Sequence, residues 1–137
     1  MSRGGYDRRG DSNWQPDERK IEEVIKGNAK VLADYASKLG ERWSRNITTS
    51  QIRHFLSHIQ NIGKRKDLDE RRIINELHLL RAKLAYAAGR HGAGVKEFFQ
   101  VVELGIKKVE NKEDYKNLKN FVEAIVGYHK YYGGKEV

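Results

Sequence analysis

The 137-residue chain has no cysteine and only one proline, Pro16. Without cysteine there is no disulfide frame, no thiolate zinc site and no thiol nucleophile. Beyond Pro16 no ring breaks a backbone hydrogen-bond ladder, so helices are free to run. Long apolar stretches are missing too: none approaches the roughly 18 residues that a spanning helix requires. The opening Met1–Asp11 has no hydrophobic segment of the kind a secretory signal carries. Period-2 alternation and Asn-Gly or Asp-Gly hairpins are absent, which leaves strands without support. No glycine-rich phosphate loop follows a strand, and no serine sits in a nucleophile-elbow context. The expectation is a soluble, cytoplasmic chain away from any membrane, with no enzyme activity, cofactor or metal.

Positive charge is plentiful. Lys and Arg number 27 against 19 Asp and Glu, a formal net charge of +8. The surplus is concentrated: residues 42–90 hold eleven Lys/Arg and four acids, a net +7, while the segments on either side are close to neutral. A basic face of this kind calls for an anionic partner, with nucleic acid ahead of membrane.

Apolar spacings of three and four recur along the chain and predict an all-α fold, a single five-helix bundle over residues 15–137. Residues 1–14 are a Gly/Arg-rich tail that buries too little apolar surface to repay ordering. The first predicted helix runs from about Pro16 to Leu39, with Ile21, Val24, Ile25, Val31, Leu32, Tyr35 and Leu39 as its stripe. Gly27 is its weak point and Gly40 its stop. The second opens on a capping box, Thr48 as N-cap and Gln51 at N3, with Ile47 placed to staple onto Ile52. Its stripe is Ile52, Phe55, Leu56, Ile59 and Ile62, and Gly63 marks its end. The third spans about Leu68–Gly89, with Asp67 and Glu70 as a second capping box and Ile73, Leu77, Leu80, Leu84 and Ala88 inward. Gly92 and Gly94 then break the chain. The fourth covers about Val95–Glu110 through Phe98, Phe99, Val102, Ile106 and Val109. Asn111 caps the fifth, which continues to about Tyr132 through Leu118, Phe121, Ile125 and Tyr128 before Gly133-Gly134.

At about 100° per residue, Arg53, Ser57, Gln60 and Lys64 share one flank of the second helix. On the third, Arg72, Lys83 and Arg90 fall within about 20° of one another, with Lys83 and Arg90 about 10 Å apart along the axis. Such rows suit a sugar-phosphate backbone, because Arg forks onto phosphate oxygens and Lys adds a point charge. Contacts of this kind position a strand without reading its sequence. Arg81 lies across the stripe from Lys83. His54 and His58 have the i, i+4 spacing that lets two imidazoles share a metal, but no Glu follows His54 as in a zinc-protease helix. They read as polar, solvent-facing residues close to the nucleic acid. His129 falls on the stripe of the fifth helix and reads as a hydrogen-bonded core or interface histidine. His91-Gly92-Ala93-Gly94 reads first as an interhelical turn, with the alternative that this flexible loop, directly after Arg90, brings backbone N–H groups to a phosphate. Trp14, Trp43, Tyr131 and Tyr132 fit either base stacking or a subunit contact.

Three blocks, Ile47-Thr48-Thr49-Ser50-Gln51-Ile52-Arg53, Leu80-Arg81-Ala82-Lys83-Leu84-Ala85-Tyr86-Ala87-Ala88-Gly89-Arg90 and Phe121-Val122-Glu123-Ala124-Ile125-Val126-Gly127-Tyr128-His129-Lys130, resemble the Csm small-subunit family. This is the small helical subunit of type III-A CRISPR RNA-guided effector complexes. With the helices between them the blocks cover about residues 20–134. Ala82 departs from the proline expected in the second block. The resemblance implies a non-catalytic bundle that stacks with its own copies as an inner filament, a possible homodimer in isolation. It further implies partners in the target RNA, the crRNA and other Csm effector subunits, in antiviral defense. By position it implies RNA-binding roles for Arg53, Arg81, Lys83, Arg90 and Lys130, beside Lys64 from the helix flank. Arg81 has a structural alternative in pairing with Glu76, Glu123 or another acid. The competing reading is a helical protein-protein scaffold module with no direct RNA contact.

Overall fold

The computed structural model describes residues 13–65 and 68–136, and these form six α-helices and no strand. They are α1 Glu18–Ile25, α2 Ala29–Trp43, α3 Thr49–Gly63, α4 Glu70–Gly89, α5 Ala93–Lys108 and α6 Lys112–Tyr131. The all-α class stands; the count rises from five to six because the first predicted helix is two. Gly27 takes a φ of 107°, which a side chain would oppose. Asn28 then restarts the helix, its side chain accepting from the Val31 N–H. The tail up to residue 12 lies outside the described residues, as does Asp67 of the expected second capping box.

Gly40 is not a stop. It lies inside α2, which continues to Trp43. A Cβ at Gly40 would stand 2.7 Å from the backbone nitrogen of His129 and 2.7 Å from Tyr128 Cβ. The missing side chain therefore lets α2 and α6 cross at close range, and this is the most extensive helix pairing in the fold. The third predicted helix begins at Glu70 rather than Leu68, because Asp69 is the N-cap and accepts from the Arg72 N–H. The fourth begins and ends two residues early, at Ala93 and Lys108, with Gly92 as its N-cap.

The local signals at α3 and α6 hold. Thr48 and Gln51 form the reciprocal capping box, with Ile47 and Ile52 both buried as a staple requires. Asn111 accepts from the Asp114 N–H, and Gly133, at φ 89°, follows the end of α6.

One core runs through all six helices. Its largest members are aromatic: Trp43 meets Phe98 edge-on at 5.4 Å, and Phe55 meets Phe98 at 5.1 Å. Trp43 is fully buried, so it is not available to stack a base. Trp14 packs on it at 6.2 Å, with the Arg42 guanidinium 4.9 Å from the Trp14 ring. Tyr131 and Tyr132 are exposed at the end of α6. His129 is buried, with its Nε2 2.6 Å from the Ile47 carbonyl oxygen. A carbonyl only accepts, so the ring donates there and ties α6 to the loop before α3. No helix among the described residues is long and apolar enough to cross a membrane.

Candidate nucleic-acid interface

Lys83 and Arg90 are seven residues apart on α4, two turns along one flank. The inward stripe Ile73, Leu77, Leu80, Leu84 and Ala88 fixes the rotation of α4 and leaves that flank toward α3. The inward residues of α3 are Ile52, Phe55, Ile59 and Ile62, which turn His54 and His58 toward α4. These side chains, together with Ala82, Leu84, Tyr86, Ala87 and His91, line an open cleft of about 550 Å³. Among the described residues no Asp or Glu lines it.

Lys83 and Arg90 are exposed and form no ion pair among the described residues. The Arg90 guanidinium lies 5.7 Å from the centroid of the Tyr86 ring, itself 71% exposed. His54 Nε2 and His58 Nε2 are 3.3 Å apart with their rings edge to face. Burial pushes the His58 imidazole below its ordinary 6.5, and the neighbouring His54 and Lys83 charges push it further the same way. His91 Nδ1 is 3.2 Å from the side-chain nitrogen of Gln51. The histidine pair is thus not simply solvent-facing, as its spacing on α3 implies. His58 is half-buried, and both rings belong to the cleft wall. Among the described residues no three His, Cys, Asp or Glu side chains are grouped to hold a metal. The cationic neighbours of the pair favour an anion instead.

The six sequence-predicted binding residues do not converge. Arg53 and Lys64 are exposed on the other flank of α3 from the histidines. Gln60, on the same flank, donates to Glu123 of α6 at 2.9 Å. Lys130 is paired with Glu136, whose backbone carbonyl accepts from the Ser50 hydroxyl at the start of α3. Arg81 points to the far side of α4, where Nε and Nη2 reach Glu103 of α5 at 3.1 and 3.0 Å. The structural alternative for Arg81 thus holds, with Glu103 as the acid and not Glu76 or Glu123. Lys83 and Arg90 form the cleft; Arg53, Lys64 and Lys130 are distributed along the α3–α6 side. Sequence reasoning passed over Tyr86 as a site residue and weighed His91 only through the backbone of the loop after Arg90. Tyr86 lies one helical turn after Lys83 and one before Arg90, and that spacing is the signal that would have included it.

Fold and cleft together define a small, basic, all-helical protein with an open cationic groove between two consecutive helices. The family model described as Csm2 Type III-A matches residues 26–135. The "CRISPR system Cms protein Csm2" of Streptococcus thermophilus is 35% identical over 95 residues, which cover 66% of this chain and 76% of that protein. The chain belongs to the Csm2 family of type III-A CRISPR systems.

Proposed function

We propose that the chain is a non-catalytic small subunit of a type III-A ribonucleoprotein, where it stacks with its own copies and other Csm subunits and grips the backbone of target RNA. The observation that carries this reading is the α3–α4 cleft, in which Lys83 and Arg90 stand without a carboxylate partner among the described residues. Two cations about 10 Å apart along a helix can each meet a phosphate of one strand. Arg53, Lys64 and Lys130 extend the contact toward the guide–target duplex along the α3–α6 side. Arg81, tied to Glu103, serves the packing of α4 on α5.

The test is RNA retention by the reconstituted complex with Lys83→Ala and Arg90→Ala combined. Affinity falls, and the slope of log affinity against log salt flattens by about 1.4 to 1.8, since each phosphate no longer neutralised removes about 0.7 to 0.9. Unchanged affinity and slope place the RNA elsewhere.

A second reading, a scaffold that meets only protein, is favoured by Leu79, an exposed apolar residue of α4 outside the cleft lining. It predicts assembly that survives nuclease treatment and RNA retention indifferent to Lys83 and Arg90.

A further inference from the structure

The cleft sets its two cations, Lys83 and Arg90, beside three imidazoles. His54 and His58 stand on α3 with their Nε2 atoms 3.3 Å apart, and His91 lies on the turn after α4. From α4 the charged groups facing them are Lys83 and Arg90, and Tyr86 is the remaining titratable neighbour. Glu76, also on α4, is engaged by Arg65 at 3.9 Å. From α6, Glu123 meets Gln60 on the opposite flank of α3, and Lys112, Lys116 and Lys119 stand near Gly63 at its end. So no carboxylate among the described residues faces the histidines to hold a proton on them in the free protein.

From this arrangement we infer that the α3–α4 cleft is a proton-linked phosphate site, where a bound RNA phosphate draws a proton onto His58 and thereby tightens its own binding. The inference rests on the cleft being the RNA contact proposed above. The linkage follows from Coulomb's law. In the free cleft burial, and then the His54 and Lys83 charges, hold the His58 imidazole below its ordinary value, so its protonation is disfavoured. A phosphate oxygen seated between α3 and α4 reverses the sign of the local field and makes an imidazolium a charge-assisted donor. The bound-state pKa then exceeds the free-state pKa. Protons are taken up on binding, and affinity rises as pH falls through the window between the two values. Above the bound-state pKa the contribution is gone and only Lys83 and Arg90 remain.

The measurement is the affinity of the full chain for a labelled single-stranded oligouridylate at constant ionic strength, from pH 8 to pH 5.5. One fully linked proton gives up to about a tenfold rise per pH unit. The wild-type affinity is expected to increase about tenfold or more across the range. The His54→Gln/His58→Gln variant loses most of the rise between pH 8 and pH 5.5, whatever its own affinity at pH 8. Calorimetry of the wild type in buffers of different ionisation enthalpy reads the same proton uptake without any substitution. A flat wild-type profile with no buffer-dependent heat overturns the inference, as does a rise that persists unchanged in the double glutamine variant. Binding that ignores Lys83→Ala/Arg90→Ala at every pH overturns the cleft reading itself, and the inference with it.

Discussion

Substituting Gly40 by alanine tests the close α2–α6 crossing that organises the bundle. In an ordinary helix interior the change adds about 1 kcal/mol of stability, because glycine loses more backbone freedom on folding. Here the new methyl group would sit 2.7 Å from His129 N, 2.7 Å from Tyr128 Cβ and 2.9 Å from the Tyr128 carbonyl carbon. Carbon atoms rest at about 3.5–4.0 Å, so the helices must part by about 1 Å or tilt. The obstruction is mostly backbone and cannot rotate away. Separation loosens the stacked Tyr35–Phe121 pair, at 5.9 Å, and strains the bond from His129 to Ile47. Overpacking costs about 1–3 kcal/mol, and a clash with backbone belongs at the upper end. Net of the propensity gain, Gly40→Ala loses about 1–2 kcal/mol, a fall in Tm of about 3–8 °C. Thermal melts followed by circular dichroism read it directly. A variant that melts at or above the wild-type temperature refutes the argument and makes Gly40 an ordinary interior glycine.

Gly127 is the counterpart on α6, where an added Cβ meets nothing within 4 Å; Gly127→Ala raises stability by about 0.5–1 kcal/mol in the same melts. Glu97 accepts from Arg42 Nε at 2.8 Å, Arg42 Nη2 at 2.9 Å and Trp43 Nε1 at 2.9 Å. Glu97→Gln turns an amide N–H₂ toward a half-buried guanidinium and costs about 1–3 kcal/mol, measured by denaturant midpoint. Lys83→Ala/Arg90→Ala removes exposed side chains without ion-pair partners among the described residues, so its melting curve stays within about 0.5 kcal/mol of wild type. Weaker RNA retention in that variant then reports on the interface and not on the fold.

What could be read along the chain was what is settled locally. The α3 capping box, the Asn111 cap and the inward stripe of α4 depend on residues a few positions apart, and all three are present. The two interior glycines show the limit. Gly27 and Gly40 look alike in sequence, each following a run of helical spacing, yet one breaks the helix and the other permits a crossing. Gly40 is decided by His129, 89 positions away in the chain, which no local pattern records. The candidate site divides in the same way. A helical wheel aligned Lys83 with Arg90, because both ride on one rigid helix. It did not show that Arg53 lies on the flank of α3 that faces away from them, or that His54 and His58 face α4. That requires knowing which flank of α3 packs beside which flank of α4. Nor does sequence reveal that Arg81 is consumed by Glu103, since a free and a paired arginine are written with the same letter.

The central claim is that target RNA runs through the α3–α4 cleft. Residue-resolved cross-linking of the reconstituted complex with bound target RNA tests it most directly. The account predicts adducts at Lys83, Tyr86 and Arg90 that disappear when target RNA is omitted. Adducts confined to other surfaces, with α3 and α4 unmarked, would contradict it.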